Sequence, residues 1–263
     1  MSRKSIIAAW CALLVVSGCI SGKIPDVTKR PPASPEDVLG KIALPGRDDI
    51  IRATANITVS SHEGKYSQKM ALSLRIPACL RVETIPLFGP ADFFLSANEE
   101  YIKVFFPGEG KFYVGRATEE NLFVFLKVFL PPGDIVSLLA GLPPQITKGS
   151  LSEQVEGRLY RVDIRSGKKR RSLWVDPDDY TLTKVEDRDG GRVVSRVTFK
   201  GHVVVNEVSY PRRIMIEVQQ PERVSIDIRY LDLDISSDGK GAIFDLQVPS
   251  GITPVRIDRK GTF

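Results

Sequence analysis

The segment VETIPLFGPADFFL, residues 82–95, decides the fold of this sequence. Two runs with the composition of β-strands lie on either side of PLFGP, residues 86–90. Proline and glycine at those places predict a tight turn, and therefore two strands joined as a hairpin. Turn tips face water and usually carry polar residues or glycine. This one carries Leu87 and Phe88 side by side, which predicts an apolar tip displayed at the end of the hairpin.

The surrounding sequence alternates between apolar and polar residues. Apolar residues occupy every second position in 53–59 and again in 70–76, which is typical of antiparallel strands with one buried face. We count about eleven strands, enough for one mainly β domain over residues 34–263. The further runs that we interpret as strands are Gly157–Arg165, Arg170–Val175, Thr181–Asp187, Val193–Phe199, Arg212–Val218 and Val224–Ile235.

Three short helices are predicted. Ser34 and Pro35 are suited to begin the first, as a cap and a first helical residue. The other two, Leu122–Leu130 and Ile135–Ala140, are apolar on nearly all sides, whereas a surface helix has a polar face. They either pack on each other and fill the sheet, or line an apolar cavity in a curved sheet. In the second case the expected lining residues are Leu122, Phe123, Phe125, Leu126, Phe129, Ile135, Leu138 and Leu139.

The amino-terminal residues resemble a bacterial lipoprotein signal. Residues 2–4 include two basic side chains, and an apolar run follows over 6–16; that run is shorter than the roughly 17–25 residues of a membrane-spanning helix. Val16-Ser17-Gly18-Cys19 resembles a lipobox. The resemblance implies cleavage after Gly18, lipidation of Cys19 with diacylglyceryl and usually palmitoyl groups, and a tether over residues 19–33. The alternative is a plain secretory signal or an uncleaved anchor.

Charged residues offer few candidate sites. The net charge is only +5, so nucleic acid is not an expected partner. The basic run Lys168, Lys169, Arg170 and Arg171 is either a solvated hairpin or a patch for anionic lipid head groups. Asp176 to Asp179 form an acidic turn or a calcium site.

Enzyme chemistry is not expected. Asp232 and Asp234 share one strand face, which a solvent-facing strand explains as well as a pair of catalytic carboxylates does. No nucleophile elbow, zinc-protease motif, phosphate-binding loop or dinucleotide motif occurs in the sequence. We therefore expect no catalytic residues, no metal and no cofactor.

The order of these motifs resembles the LolB family of outer-membrane lipoprotein receptors. The turn at 85–89, the segment 119–131 and the segment 135–143 carry the resemblance, while 174–177 and 210–212 look more like the related LolA carriers. The tryptophan usual in the second lid helix is missing. The resemblance implies an open, strongly curved antiparallel β-barrel of about eleven strands that encloses two or three short helices and an acyl-chain cavity. It also implies a protruding apolar residue, here Leu87 or Phe88.

We therefore expect a monomeric lipoprotein on the periplasmic face of the outer membrane of a Gram-negative bacterium. It would be anchored through acylated Cys19, and Ile20 is not the aspartate that signals inner-membrane retention in enteric-type lipoproteins. Its expected partners are lipoprotein acyl chains or other lipids, and a LolA-like periplasmic carrier. The alternative is a structural or assembly lipoprotein that docks a protein or glycolipid of the cell envelope.

Overall fold

The computed structural model describes residues 34–145, 149–219, 222–237 and 241–258. The predicted signal segment 1–18, the lipidation site Cys19 and the tether 19–33 lie outside the described residues. The described residues belong to one compact unit.

Strands dominate the described chain, with three α-helices in between. The helices are α1 Pro35–Gly40, α2 Glu119–Leu126 and α3 Pro132–Leu139. The strands are β1 Ile50–Ser61, β2 Gly64–Arg75, β3 Cys79–Thr84, β4 Phe94–Ala97, β5 Tyr101–Phe106, β6 Lys111–Arg116, β7 Ser150–Glu156, β8 Leu159–Ser166, β9 Lys169–Val175, β10 Leu182–Asp189, β11 Arg192–Lys200, β12 Val203–Val205, β13 Val208–Tyr210, β14 Arg213–Val218, β15 Val224–Ser236 and β16 Val255–Arg256.

Fourteen strands form one sheet in the order β16-β6-β5-β4-β3-β2-β1-β15-β14-β11-β10-β9-β8-β7. The two end strands do not pair with each other, so the sheet is open and not a closed barrel. Neighbouring strands are antiparallel except β16, which runs parallel to β6. The expected mainly β fold is therefore confirmed, but the expected barrel of about eleven strands is not. The sequence count missed β7 and the short strands β12 and β13, and in the last two the alternation is too brief to be recognised.

Alternation places one face of the sheet against the helices. Ala53 and Ala55 of β1 are buried, while Asn56 on the opposite face is exposed. A bulge between Thr54 and Ala55 interrupts the pairing of β1 with β15, and bulges of this kind increase local twist and bend a strand. The core therefore lies on the inner face of a twisted sheet, beneath α2 and α3.

The first helix begins where its cap predicts, whereas α2 and α3 each begin three residues before the predicted starts at 122 and 135, and α2 also ends earlier than predicted. Ser34 caps α1 in a reciprocal capping box, and Thr118 caps α2 by accepting a hydrogen bond from the Asn121 amide. The predicted helix 122–130 ends at Leu126, because Lys127 adopts a left-handed backbone with φ 58°. All eight residues of α3 are buried, whereas α2 buries only Leu122 completely.

The carboxy-terminal segment covers the outer face of β3 to β5. The Arg81 guanidinium donates to the Ile243 carbonyl at 2.8 Å, and Ser96 donates to the Phe244 carbonyl. Lys103 forms an ion pair with Asp245. These contacts cover polar side chains on the outer face of β3 to β5, so these three strands can border a cavity only on their inner face.

Candidate functional site: an apolar cavity beside an exposed apolar loop

A cavity of about 620 Å³ lies between the inner face of the sheet and the helices. This volume is within the roughly 300–1,000 Å³ of small-molecule sites. The sheet contributes Ile57, Val59, Tyr66, Met70, Leu72, Leu80, Val82, Thr84, Phe106, Ile216, Ile226 and Ile228 to its lining, and the helical region contributes Val124, Phe125, Leu126, Lys127, Val128, Leu130, Ile135, Leu138 and Leu139.

Charge is confined to a few of the lining residues. The charged members are Glu63, Lys65, Asp92 and Lys127, and the first three are exposed to solvent. Glu63 and Lys65 flank the turn between β1 and β2, and Asp92 belongs to the loop between β3 and β4. The strand and helix positions that form the walls are almost all aliphatic or aromatic. Such a site suits a guest with an apolar body and a polar end that stays in water.

Aromatic rings connect the loop after β3 to α2. The Phe93 and Phe106 ring centroids lie 5.3 Å apart, and Phe106 lies 6.4 Å from Phe125. Tyr113 contacts the Phe125 ring at 5.7 Å. Ring pairs at these separations attract each other beyond the area that they bury. One side of the cavity is therefore a continuous aromatic wall.

Five of the eight predicted lining residues lie in the cavity wall: Phe125, Leu126, Ile135, Leu138 and Leu139. The other three do not line it. Leu122 is fully buried in the core, and Phe123 and Phe129 pack on each other with centroids 6.2 Å apart. Phe129 lies beyond the end of the shortened α2 and is 38% exposed. In place of these three, Val124, Val128 and Leu130 of the same apolar run line the cavity, because a short helix presents only some of its residues to it.

Sequence reasoning did not name the sheet residues that line the cavity. Ile57, Val59 and Met70 belong to the same alternating set as the core residues of β1 and β2. The signal was therefore present. Which end of each strand faces the core and which end faces the cavity depends on the position of the helices, and that position is not encoded in the alternation.

Helix α3 is fixed to the sheet near both ends. Near its start, the buried Asp134 carboxylate forms an ion pair with the Arg171 guanidinium at 3.1 Å. It also accepts a hydrogen bond from the backbone amide of Gln145 at 2.9 Å. At its end, the Tyr230 hydroxyl donates to the Leu139 carbonyl at 2.8 Å. Both contacts lie on residues that are buried or nearly so. The wall of the cavity that α3 forms is therefore rigid.

The four residues of the basic run 168–171 do not share one environment. Burial opposes the charge of Arg171, but hydrogen bonds and ion pairs with Asp187 and Asp134 outweigh it and raise the pKa of Arg171 above its ordinary value. Arg170 is half-buried, and only Lys168 and Lys169 are exposed. Two of the four predicted head-group residues are thus directed toward the protein.

The loop between β3 and β4 displays two apolar side chains. Leu87 is 94% exposed and Phe88 is 93% exposed. The loop spans residues 85–93, because β3 ends at Thr84 and β4 begins at Phe94. It is therefore longer than the predicted tight turn. The structure places both side chains outside the fold, and we call the residues 85–93 the apolar loop.

Thr84 closes the base of the apolar loop. Its hydroxyl donates to Asp92 Oδ1 at 2.5 Å and accepts the amides of Asp92 and Phe93 at 3.1 and 3.2 Å. The Ile85 amide donates to the Lys69 carbonyl at 2.8 Å, which ties the loop to β2. Thr84, Asp92 and Phe93 also line the cavity. The apolar loop is therefore built on the rim of the cavity.

Acidic residues do not assemble into a second site. Within residues 34–145, 149–219, 222–237 and 241–258, no group of three or more His, Cys, Asp or Glu side chains could hold a metal ion. The acidic turn is bonded internally, since Asp176 accepts the Asp178 amide at 3.0 Å and faces Arg158. Asp232 and Asp234 are exposed on the outer face of β15. In the part of the chain that the structure describes, no helix is long and apolar enough to cross a membrane.

Comparison with known proteins identifies the fold through structure alone. No protein-family model and no curated protein matches the sequence. A domain from Vibrio parahaemolyticus, provisionally named an outer membrane lipoprotein-sorting protein, superposes with a TM-score of 0.57 at 16% identity, covering 80% of this chain and 94% of that one. A LolA superfamily protein from Nitrosomonas europaea gives 0.57 at 15% identity over 82% and 99% of the two chains.

A third solved structure agrees with these two. A DUF1329 family protein from Desulfovibrio piger gives a TM-score of 0.55 at 15% identity, over 76% of this chain and 90% of that one. All three superpositions cover most of both chains. The fold of this chain is LolA-like.

Proposed function

We propose that this chain is a lipid-anchored envelope protein that holds the acyl chains of lipoproteins in its cavity and delivers them to the outer membrane. The carrying observation is that Asp92 and Phe93 of the exposed apolar loop, and Thr84 at its base, line the apolar cavity. The lipoprotein-sorting and LolA names of the similar structures support the same proposal. Acylated Cys19 would provide the anchor, and a LolA-like carrier would supply the cargo.

The cavity supports acyl binding energetically. Removing one methylene from water contributes about 0.8 kcal/mol, and an apolar wall provides that gain about as well as a bilayer does. Moving a chain between such a cavity and a membrane therefore has a small net free energy. A protein that must release its cargo needs this balance. No lining residue places a buried charge in the cavity that would hold a polar part of the cargo there.

The apolar loop supports delivery better than it supports anchoring. Two acyl chains on a protein already give stable membrane attachment. Leu87 and Phe88 could add only about 1.5–3 kcal/mol each on full burial, so they are superfluous as an anchor. A loop on the cavity rim that enters the bilayer would instead bring the cavity opening to the membrane surface, where the cargo must leave.

Binding of a dansyl-labelled triacylated peptide to the chain 20–263, which contains every described element, tests the cavity. We expect Ile57→Trp and Met70→Trp, made separately, to weaken binding at least tenfold, because each places a large ring into the cavity wall. Val204 is 72% exposed on β12, so Val204→Trp is the matched control and should bind as the parent does.

The same measurement separates the two candidate functions. Equal binding by the cavity variants and the control, with unchanged thermal unfolding, would contradict acyl binding in this cavity. No binding by the parent chain would favour the alternative, an assembly lipoprotein that docks a protein or glycolipid. Native mass spectrometry of the chain purified from membranes gives an independent readout, since a bound lipid or lipopeptide adds its own mass.

A further inference from the structure

A second, polar groove lies on the outer face of the sheet beneath the apolar loop. It has a volume of about 780 Å³. Because side chains alternate across a strand, Asn56 and Thr58 face this groove while Ile57 and Val59 face the cavity. The other lining residues are Lys65, Ser67, Gln68, Lys69, Ile85, Pro86, Leu87, Asp92, Asp227 and Arg229.

The groove carries two lysines with no carboxylate partner. Lys65 and Lys69 are exposed, and neither forms an ion pair with another residue that the structure describes. Their strand, β2, also holds the apolar loop, since the Lys69 carbonyl accepts the Ile85 amide at 2.8 Å. The backbone of the strand that carries both lysines is therefore tied to the apolar loop at Lys69.

The acidic residues of the groove are already satisfied. Asp227 accepts two hydrogen bonds from Arg213, at 2.8 and 3.0 Å, and two from Arg229, at 3.2 and 3.0 Å. These bonds lower the pKa of Asp227, the Arg213 bond having the largest effect. Asp92 accepts the Thr84 hydroxyl at 2.5 Å. The Thr58 and Ser67 hydroxyls bond each other at 3.0 Å, so the groove offers mainly ammonium and amide donors, which bind phosphate oxygens.

We infer that this groove, which we call the lysine groove, binds the phosphates of anionic lipid head groups. The inference rests on the proposed function, in which the apolar loop enters the bilayer. If Leu87 lies among the acyl chains, the groove that it helps to line comes to the level of the head groups. Lys65 and Lys69 would then orient the cavity rim toward the membrane. Lys168 and Lys169 lie at the turn between β8 and β9, and among the described residues no other large apolar side chain is as exposed as Leu87 and Phe88.

Vesicle binding by the chain 20–263 tests the lysine groove. The vesicles contain phosphatidylcholine alone, or phosphatidylcholine and phosphatidylglycerol in equal amounts. We expect Lys65→Gln with Lys69→Gln to weaken binding to the anionic vesicles about 25-fold, roughly fivefold for each lysine, and to leave binding to neutral vesicles unchanged. The preference for anionic vesicles should also fall with added salt.

The matched control is Lys168→Gln with Lys169→Gln, which removes the same charge from an exposed turn. We expect this control to keep at least most of the anionic preference. Parent-like binding by the Lys65 and Lys69 variant, or an equal loss in the control, would overturn the lysine groove. All four lysines are exposed, and unchanged thermal unfolding would show that each variant is folded.

A third variant separates this inference from the proposed function. Leu87→Ser with Phe88→Ser should abolish binding to neutral vesicles, whose head groups carry no net charge, and it adds no charge to the groove that Leu87 lines. Parent-like binding to neutral vesicles by this variant would count against the membrane-entering loop. The difference between anionic and neutral vesicles would still report on the lysine groove separately.

Discussion

Replacing Thr84 by valine removes the hydroxyl that closes the apolar loop and keeps the shape of the side chain. Thr84 is 4% exposed, and its hydroxyl makes three hydrogen bonds with Asp92 and Phe93. After the substitution, two backbone amides and one carboxylate oxygen have lost their partner. The apolar loop would then be held by two backbone bonds, from the Thr84 amide to the Phe93 carbonyl at 3.1 Å and from the Ile85 amide to the Lys69 carbonyl at 2.8 Å.

The free energy of unfolding should fall by about 3 kcal/mol. A hydrogen bond contributes roughly 0.5–1.5 kcal/mol net, and a buried donor left unpaired costs about 1–3 kcal/mol. Three hydrogen bonds at about 1 kcal/mol each give about 3 kcal/mol. The base of the loop borders the cavity, so water can bond the amides that lose their partner, and no full penalty for an unpaired donor is added. For a domain of this size, that change lowers the melting temperature by about 6–12 °C.

Thermal unfolding and amide hydrogen exchange measure the effect. Thr58→Val is the matched control, because the Thr58 hydroxyl makes one bond, to Ser67 at 3.0 Å, on the solvent side of β1. We expect the control to change the melting temperature by at most about 3 °C. In the Thr84 variant the amides of Asp92 and Phe93 should exchange faster. An unchanged melting temperature and unchanged exchange at these amides would refute the role assigned to Thr84.

Three further predictions concern stability. Leu87→Ala with Phe88→Ala should leave the melting temperature within about 2 °C of the parent, since both side chains are exposed; a larger drop would mean that one of them packs on the fold. Asp134→Asn should lower the melting temperature by about 5–10 °C, because it removes one carboxylate from a buried guanidinium; a parent-like melting curve would contradict this. Hydrogen bonds from Arg213 hold the folded pKa of Asp227 below its unfolded value, so its contribution is present above about pH 4 and is lost as the pH falls further. Urea unfolding should show Asp227→Asn less stable than the parent at neutral pH, with the difference shrinking in acid, and a pH-independent difference would refute the assignment.

The strand pattern was predictable because alternation survives in a sheet with one buried face. The predicted run 224–235 corresponds to β15, observed at Val224–Ser236. Strands such as β16, with two residues, have too few positions to alternate. The pairing of β16 with β6 is set by the path of the carboxy-terminal segment over the outer face of the sheet. Such a pairing depends on tertiary contacts and leaves no local signal.

The candidate site was predictable at its helices and not at its loop base. Apolar composition on all sides indicated that α2 and α3 are enclosed, but the end of α2 at Leu126 follows from the left-handed conformation of Lys127. No sequence rule favours that conformation for lysine. Thr84 looked like an ordinary strand residue. Its role arises because the chain returns to it eight residues later, at Asp92.

The two helical walls of the cavity differ in how firmly they are held, and this difference has a consequence for cargo. Helix α3 is buried along its whole length and bonded near both ends, through Asp134 and the Leu139 carbonyl. Helix α2 buries only Leu122 completely. Segments with fewer buried contacts open at lower free energy, so we expect an entering acyl chain to displace α2. Phe125 of α2 is linked through the Phe106 ring to Phe93 at the base of the apolar loop. If the cavity takes an acyl chain as proposed, filling it would change the packing beneath the loop and would couple cargo binding to membrane contact through these rings.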